Sequence, residues 1–188
     1  VRRVTVGRDC RESSAPLFAA LVRGLNAGGV SVLDVGVVAT PIQYFSIPHF
    51  GVDGGIQITG SHNPPEYNGL KISMGGTTIH GEDIQELRAI VESGRFTSGS
   101  GTLEAVDVVT PYIDMCVSNL KLGPRKLKVV VDGGNGTGGP FALPILERLG
   151  IETVPLYCEM DATFPNHHPD PTVEENLEDL KAAVLAHG

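Results

Sequence analysis

The sequence predicts an α/β protein built from three-layer α/β/α domains, in which helices flank a mixed sheet. Two features predict this fold class. Short apolar segments of strand length alternate with longer segments whose apolar residues recur every three to four positions. Polar segments rich in glycine follow some of the strands, at the edge where α/β sheets bind ligands. We therefore expect the functional residues in these segments.

The first 120 residues carry the more complete series of predicted elements. An apolar face at Leu17, Leu21 and Leu25 predicts the first helix, which Ser13 or Ser14 can cap. The predicted strands are Arg3–Gly7, Val30–Val35, Gly54–Thr59 and Asn68–Ser73, and the later helices are Pro41–His49, Asp83–Ser93 and Val109–Leu120. The composition of Arg95–Glu104 predicts a surface loop. We assign residues 1–120 to a first, nearly complete domain.

A second series of the same kind predicts a second domain at residues 121–188. Its predicted elements are the strand Leu127–Val131, the helix Phe141–Leu149, the strand Glu152–Leu156 and the helix Val173–His187. A parallel sheet normally takes a further strand after such a series. We therefore expect this domain to be truncated.

Composition and charge argue against several classes of protein. The 188 residues are 41% hydrophobic and 19% charged, as in an ordinary globular domain. A net charge of −8 argues against a nucleic-acid partner, and no apolar run is long enough to span a membrane. Cys10, Cys116 and Cys158 form no C-x-x-C pair, so they indicate neither a zinc site nor disulfides. Because the chain opens on a predicted strand and not on a signal peptide, we expect a cytoplasmic protein.

The segment Thr59–Pro65 has the composition of an exposed loop with a fixed backbone. Gly60 lets the main chain approach a ligand. Pro64 stiffens the exit from the loop and keeps Asn63 out of the helical region. The hydroxyl of Ser61 stands at the centre of the segment. Taken alone, this pattern fits an ordinary polar turn as well as a reactive site.

The longer sequence from Gly54 to Ile72, GGIQITGSHNPPEYNGLKI, closely resembles the phosphoserine signature of the α-D-phosphohexomutases. Further similar segments flank it in the family's order: Val6–Asp9, Ala39–Pro41, Val131–Gly136 and Phe164–Pro171. The resemblance implies a four-domain enzyme that interconverts hexose 1-phosphates and hexose 6-phosphates. The reaction would pass through a phosphoserine and a hexose bisphosphate, and Ser61 aligns with that serine.

The same resemblance implies the partners and the cofactor. The expected phosphosugars are mannose or glucose phosphates and hexose 1,6-bisphosphate, and the expected cofactor is Mg²⁺. The family's metal loop is an Asp-Gly-Asp-x-Asp-Arg stretch, and this chain contains no D-x-D. Only a phosphate on Ser61 could supply a metal ligand from this chain. We therefore expect the other ligands to lie outside it and the chain alone to be inactive.

Lys71 and His62 complete the predicted catalytic set. Lys71 matches the family's candidate for the general acid/base, and it lies one turn and one strand after Ser61, so it can return to the same cleft. The alternative is a solvated strand lysine. His62 could contact the phosphate or support the loop, and we expect Asn63 to bond the loop's own backbone.

Two arginines near the first strand have two possible roles. Arg8 and Arg11 follow that strand at the edge where α/β sheets bind ligands. They could add positive potential near Ser61. Alternatively, they could form ion pairs with Asp9 or Glu12, which lie beside them in the sequence.

A cluster of polar residues in the second domain also has two interpretations. His167, His168 and Asp170 could form a metal site, since imidazole and carboxylate are common metal ligands. Adjacent histidines in a proline-rich segment rarely face one ion together. The alternative is a loop packed near the interface between the domains.

Other functions remain as alternatives. Gly134–Gly139 fits G-x-G-x-x-G after a predicted strand, so a dinucleotide-binding α/β protein is the second hypothesis. Asp132 and Gly133 intervene after the strand and Pro140 follows the last glycine, which argues against it. A serine hydrolase is disfavoured because Ser61 lacks the G-x-S-x-G elbow. A non-enzymatic binding or assembly domain is compatible with this chain on its own.

Overall fold

The computed structural model describes residues 1–187, which form two α/β units with one sheet each. The strands are β1 (Arg3–Arg8), β2 (Ser31–Val37), β3 (Gly54–Ile58), β4 (Leu70–Met74), β5 (Thr77–Thr78), β6 (Leu103–Ala105), β7 (Lys128–Asp132) and β8 (Glu152–Leu156). The helices are α1 (Ser14–Ala27), α2 (Thr40–Phe50), α3 (Glu82–Ser93), α4 (Val109–Asn119), α5 (Gly139–Arg148) and α6 (Glu178–His187).

The first sheet is mixed and has the strand order β5-β4-β3-β1-β2-β6. Strand β1 pairs in parallel with β2 and β3, whereas β4 runs antiparallel to β3. The register sets Val6 beside Asp34 on one side and Ile56 on the other. The predicted α/β fold with a mixed sheet is confirmed. The carboxyl ends of β1 and β3 therefore meet at one edge of the sheet.

An apolar layer between this sheet and α1 forms the main core. Its buried strand residues are Val4, Val6, Val32, Ile56 and Ile58. Val22 of α1 is buried against them, and Leu21 and Leu25 pack beside it. Burying each aliphatic side chain contributes about 1.5–3 kcal/mol. This layer therefore holds β1, β2 and β3 in a fixed arrangement beneath the loops at their ends.

Helix α2 covers the opposite face, which gives the first unit its three layers. The hydroxyl of Thr5 accepts hydrogen bonds from Ser46 (2.8 Å) and Gln43 (3.2 Å) of this helix. A Cβ atom on Gly55 would lie 2.0 Å from the amide nitrogen of Gln43. Because this separation is far below van der Waals contact, glycine at position 55 leaves room for the buried Gln43 side chain of α2.

The second unit contains the parallel pair β7 and β8, with α5 packed on both strands and α6 on β7. A Cβ on Gly139 would lie 2.6 Å from the Cα of Cys158, so a glycine at this position lets α5 begin beside the end of β8. Helix α4 contacts α2 of the first unit and α5 of the second. The domain division at residue 120 stays a prediction, since the helix before it packs on both units.

The predicted surface loop Arg95–Glu104 is wrong at its end. Strand β6 begins at Leu103 and pairs in parallel with β2, where Leu103 lies beside Val32. The N–H of Val32 donates to the main-chain oxygen of Thr102 (2.7 Å). All three residues of β6 are exposed. This edge strand depends on main-chain bonds and buries no side chain, so it leaves no hydrophobic pattern in the sequence.

Two local predictions about helix ends are also wrong. The predicted helix Val173–His187 is divided into a 3₁₀ turn at Glu174–Leu177 and helix α6. The side chain of Asn176 donates to the main-chain oxygen of Asp170 (2.8 Å), which ties the turn to the preceding loop. At α1, Ser13 occupies the cap position without a side-chain bond, and the Ser14 hydroxyl donates to Asp9 instead.

Helix α3 lies at the surface with its apolar side chains exposed. They are Ile84, Leu87, Ile90 and Val91, which recur at helical spacing. No residue of α3 is buried. Among residues 1–187, no helix is both long enough and apolar enough to cross a lipid bilayer.

A partly buried ion pair joins the end of β7 to the loop after β8. The Nε2 atom of His167 lies 3.0 and 3.1 Å from the two carboxylate oxygens of Asp132. Its Nδ1 atom lies 2.9 Å from the main-chain oxygen of His168. These oxygens can only accept, so His167 makes both bonds when both ring nitrogens carry a proton. Burial by itself lowers the pKa of His167, but the bonds to His168 and Asp132 outweigh it and raise the pKa.

The raised pKa of His167 predicts a pH-dependent stability. Below the ordinary histidine pKa of about 6.5, His167 is protonated in both the folded and the unfolded chain, and the ion pair contributes in full. As the pH rises through the higher pKa of the folded state, that contribution is lost. We expect His167→Gln to lower the free energy of unfolding by about 1–3 kcal/mol at pH 6, and the difference from wild type to shrink towards pH 9.

Urea unfolding at pH values from 6 to 9 measures this difference. His80 is exposed, so His80→Gln is the matched control and should follow the wild type at every pH. Equal pH slopes for the wild type and His167→Gln would contradict the charged state of His167.

Candidate active site between the two units

A cavity of about 370 Å³ opens at the carboxyl ends of β1, β3 and β7. The first unit lines it with Thr59 and Ser61, and the second unit lines it with Asp132, Thr137 and Phe164. Ligands of α/β sheets bind at this edge, because the loops there expose polar main-chain groups. The cavity therefore belongs to both units and has the expected position of a binding site.

Ser61 occupies an exposed turn with a left-handed backbone. Its φ angle is 54°, a conformation that costs a non-glycine residue about 1–2 kcal/mol. The N–H of Ser61 donates to the hydroxyl of Thr59 (2.9 Å). Asn63 closes the turn, since its main-chain and side-chain nitrogens both donate to the oxygen of Gly60 (3.0 Å each). Asn63 thus supports the loop, as its position before Pro64 predicts.

The guanidinium group of Arg11 holds this loop from the protein interior. The Arg11 side chain is only 1% exposed, and a guanidinium has five N–H donors. Its acceptors are a carboxylate oxygen of Asp9 (3.1 Å) and the main-chain oxygens of Ser61 (3.2 Å), Asn63 (2.7 Å), Pro64 (2.5 Å) and Tyr67 (3.2 Å). Of the two roles considered for Arg11, the ion pair with Asp9 is present.

Asp9 fixes the same loop from the other side of this ion pair. One of its carboxylate oxygens accepts from the N–H of Gly60 (3.0 Å), and the other accepts from the hydroxyl of Ser14 (2.5 Å). A Cβ on Gly60 would lie 2.5 Å from the central carbon of the Arg11 guanidinium. Glycine is required at position 60 because the loop passes directly over this group.

The second unit completes the walls around Ser61. The Nδ1 atom of His62 lies 2.7 Å from the main-chain oxygen of Pro169. The ring of Phe164 covers the Arg11 guanidinium at 5.2 Å, within the range of a cation–π contact. The thiol of Cys10 donates weakly to the main-chain oxygen of Asn135 (3.7 Å). The serine loop is therefore held by contacts from both units.

Lys71 lies on the strand next to the serine loop. It is half-buried on β4 and pairs with Gln57 of β3, one residue pair before β3 ends at Ile58. Lys71 is outside the lining of the cavity, and it forms no ion pair with any residue from 1 to 187. The structure thus brings Ser61 and His62 to the cavity and leaves Lys71 on the neighbouring strand.

Arg8 does not pair as the sequence suggested. Its guanidinium donates to Asp34 on β2 (2.7 Å) and not to Asp9 or Glu12, because the parallel register brings Asp34 beside β1. It also lies 4.2 Å from the centre of the Phe18 ring. Arg8 is thus held against α1 and β2, apart from the residues that line the cavity.

Cys10 lines the cavity but is not a competing nucleophile. Burial, together with the negative charge of Asp9, raises the pKa of its thiol. A thiol with a raised pKa stays protonated near neutral pH, and the thiolate is the nucleophilic form of cysteine. Cys10 is also half-buried and donates to the main-chain oxygen of Asn135, whereas Ser61 is exposed, so the Ser61 hydroxyl is the more accessible of the two groups.

The residue types of Phe164, Pro169 and Asp132 do not by themselves indicate a role in this site. Their only signal in the sequence was the family resemblance of the segments that contain them. His167 offers no free nitrogen for a metal, since both ring nitrogens face oxygen acceptors. Within the described part of the chain, no three His, Cys, Asp or Glu side chains are arranged to hold a metal ion. The alternative of a packed loop therefore fits the His167 segment better.

The Gly134–Gly139 segment is explained by packing around Asn135. This residue is buried with a φ of 55°, and its side chain donates to the main-chain oxygen of Glu159 (3.0 Å). Its side-chain oxygen accepts from Asn166 (2.7 Å). Because these contacts and the close approach of Gly139 to Cys158 account for the pattern, no feature of this segment calls for a dinucleotide.

Comparison with known proteins agrees with this site. The sequence model described as phosphoglucomutase/phosphomannomutase, α/β/α domain I, matches residues 1–98, and that of domain II matches residues 110–188. A phosphoglucomutase of Neisseria gonorrhoeae is 46% identical over 98% of this chain and 40% of its own length. A phosphomannomutase/phosphoglucomutase of Pseudomonas aeruginosa PAO1 is 45% identical over 97% of this chain and 39% of its own length.

A solved structure also matches almost the whole chain. It is a phosphoglucomutase/phosphomannomutase family protein from Burkholderia thailandensis, with a TM-score of 0.94 and 46% identity over 98% of this chain and 42% of that one. The chain spans about 40% of the length of the curated relatives that it matches. The resemblance found in the sequence is confirmed, and these comparisons give no support to a dinucleotide-binding protein. The chain belongs to the phosphoglucomutase/phosphomannomutase family.

Proposed function

We propose that this chain provides the phosphoryl-carrying part of a phosphohexomutase. The complete enzyme interconverts hexose 1-phosphate and hexose 6-phosphate, with mannose or glucose phosphates as substrates and a hexose 1,6-bisphosphate as the intermediate. The observation that carries the proposal is Ser61, an exposed hydroxyl residue in a strained left-handed turn whose main chain is bonded to a buried guanidinium. Strained residues persist where the surroundings hold them, and they cluster at functional sites.

Phosphoryl transfer between the enzyme and the sugar needs a residue that carries the phosphoryl group, a general acid/base and a fixed geometry. In the forward step the sugar hydroxyl attacks the phosphorus as the bond to the Ser61 oxygen breaks. Lys71 takes the proton of that hydroxyl and passes it to the Ser61 oxygen as that oxygen leaves the phosphorus, so protons and charges balance. After the bisphosphate has turned around, the reverse step returns its other phosphoryl group to Ser61. The protein contributes chiefly positioning and charge stabilisation to such transfers.

His62 supports the loop and can also reach the phosphoryl group. The oxygen of Pro169 can only accept a hydrogen bond, so His62 donates from Nδ1. This bond leaves Nε2 free, and Nε2 can donate to a phosphate oxygen when it also carries a proton. The role combines the two possibilities that the sequence left open for His62.

Mg²⁺ is the cofactor that we propose for the complete enzyme, where it would stabilise the charge of the transferred phosphoryl group. The described residues of this chain do not form a metal site by themselves. A phosphate oxygen on Ser61 would supply one ligand, and the others would come from outside this chain. We further propose a cytoplasmic enzyme, with the division between its first two domains at residue 120.

Phosphorylation of Ser61 is the first test. The full-length enzyme is incubated with glucose 1,6-bisphosphate, and the phosphopeptides are identified by mass spectrometry. We expect phosphate on Ser61, and Ser61→Ala should lower turnover by at least about 10³-fold, as for a missing nucleophile. Ser98→Ala, in an exposed loop, is the matched control and should behave like the wild type. Phosphate only on residues outside Thr59–Pro65 would contradict the proposal.

The bond to Pro169 predicts the tautomer of His62. In the neutral ring the proton should be on Nδ1, because only a donor can bond the carbonyl. Nitrogen NMR of the enzyme labelled at histidine distinguishes the two ring nitrogens, and His62→Gln assigns the signal by its loss. A neutral His62 with its proton on Nε2 would show that the bond to Pro169 is absent in solution.

Two substitutions separate proton transfer by Lys71 from simple charge. Lys71→Met keeps the length of the side chain and should slow turnover by about 10²–10⁴-fold, with a smaller effect on KM. Arg keeps the charge but does not readily give up its proton, so Lys71→Arg should be almost as slow. Steady-state assays from glucose 1-phosphate to glucose 6-phosphate measure both variants. A Lys71→Arg enzyme near the wild-type rate would leave Lys71 as a phosphate-binding charge only.

A further inference from the structure

We propose that Arg11 is a positioning residue for phosphoryl transfer, through which the first unit sets the reactive conformation of Ser61. The inference rests on the proposed function, since it concerns the rate at which Ser61 gives and receives phosphate. The Arg11 guanidinium bonds Asp9 and main-chain oxygens of the loop and lies over the ring of Phe164; within residues 1–187, none of its hydrogen bonds goes to the hydroxyl of Ser61. It acts through the main chain that carries Ser61.

The first argument is that every N–H donor of the Arg11 guanidinium has an acceptor. Each of its five N–H groups has one acceptor, and four of these acceptors are main-chain oxygens of Ser61, Asn63, Pro64 and Tyr67. A residue that only balanced the charge of Asp9 would need one of these bonds. The remaining four bonds fix the course of a single loop. The arrangement is therefore specific for the shape of the loop.

The second argument is the conformation that the loop imposes on Ser61. A left-handed φ of 54° is unfavourable for serine, so an unrestrained loop would relax away from it. Arg11 bonds the main-chain oxygen of Ser61 itself (3.2 Å). On the other side of Ser61, Asp9 bonds the N–H of Gly60 (3.0 Å). Arg11 and Asp9 therefore hold the peptide groups on either side of the one that joins Gly60 to Ser61.

The third argument is that lysine cannot replace the guanidinium at this position. An ammonium group has three donors and no planar fork, so it can preserve the ion pair with Asp9 but not all the bonds to the loop. Arg11→Lys therefore separates the two roles of Arg11. It keeps a cation beside a buried carboxylate, which protects the fold. It also removes some of the hydrogen bonds to the main-chain oxygens of the loop around Ser61.

The experiment compares Arg11→Lys with Arg8→Lys in the full-length enzyme. Arg8 is the matched control, since it lies on β1, pairs with a single carboxylate (Asp34) and stays apart from the loop. Single-turnover phosphorylation by glucose 1,6-bisphosphate gives a rate constant that does not depend on the fraction of folded enzyme. Because misplacing a reacting group by about 1 Å can cost about 10²-fold, we expect Arg11→Lys to slow this step by about 10- to 100-fold.

Three accompanying readouts distinguish positioning from a general loss of structure. For Arg11→Lys, kcat should fall with the rate constant while KM stays within about three-fold, as for an interaction that matters in the transition state. The pH profile should keep its shape, because the acid/base is intact. Hydrogen exchange of the main-chain N–H groups of Asn63 and Tyr67, which donate to oxygens within the loop, should become faster because the loop is held less firmly. Arg8→Lys should match the wild type in all three.

A second variant keeps the inference testable if Arg11→Lys does not fold. Gly60→Ala sets a methyl group against the guanidinium and against the main-chain oxygen of Tyr67, which disturbs the bonds between Arg11 and the loop without removing Arg11, and the same slow phosphorylation is expected. If either folded variant is phosphorylated at a rate constant within about two-fold of the wild-type value, the positioning role of Arg11 is overturned. The proposed function would still stand. Absence of phosphate on Ser61 in the wild type would overturn the proposed function and this inference with it.

Discussion

The buried ion pair between Asp9 and Arg11 is the interaction on which the candidate site depends. Removing one member of such a pair costs about 3–5 kcal/mol, because the other charge is left buried without a partner. Here the pair is also bonded to the start of α1 through Ser14 and to the serine loop through Gly60. The end of β1, the first helix and the loop after β3 are thereby joined at one charged centre.

The second unit adds contacts that the first unit cannot make alone. Phe164 covers the guanidinium of Arg11, Pro169 accepts a hydrogen bond from His62, and Asn135 accepts one from the thiol of Cys10. The ion pair between Asp132 and His167 anchors the loop from which the first two of these contacts come. The position of the serine loop is therefore coupled to the packing of the second unit.

Sequence reasoning could predict much of the fold because the core follows hydrophobic periodicity. Val4, Val6, Ile56 and Ile58 alternate along β1 and β3 and share one core layer, and such alternation is typical of strands. Strand β6 left no such signal, since it consists of exposed residues joined to β2 by main-chain bonds. The division of the last helix was missed for a related reason, because it depends on one bond from Asn176 to a main-chain oxygen.

The candidate site could be predicted only in part. Ser61 and His62 stand in a segment whose glycine and prolines predict a fixed loop, so their residue types and spacing were informative. The acceptors of Arg11 are main-chain oxygens about fifty positions away. No side-chain pattern records such contacts, and the charge of Asp9 next to it suggested only an ion pair. Arg8 pairs with Asp34 because of the register between β1 and β2, and the strand propensity of the residues does not predict that register.

The choice of main-chain acceptors by Arg11 has a consequence for how this loop can change over time. A guanidinium that bonds carbonyl oxygens is indifferent to the side chains that those residues carry. Two loop residues are fixed by type: Gly60, where a Cβ atom has no room, and Asn63, whose side chain bonds the Gly60 oxygen. The loop can therefore exchange side chains at its other exposed positions, and with them its substrate contacts or even its reactive group, while the backbone that presents them is preserved. In such a loop, the backbone conformation and the reactive side chains can evolve independently.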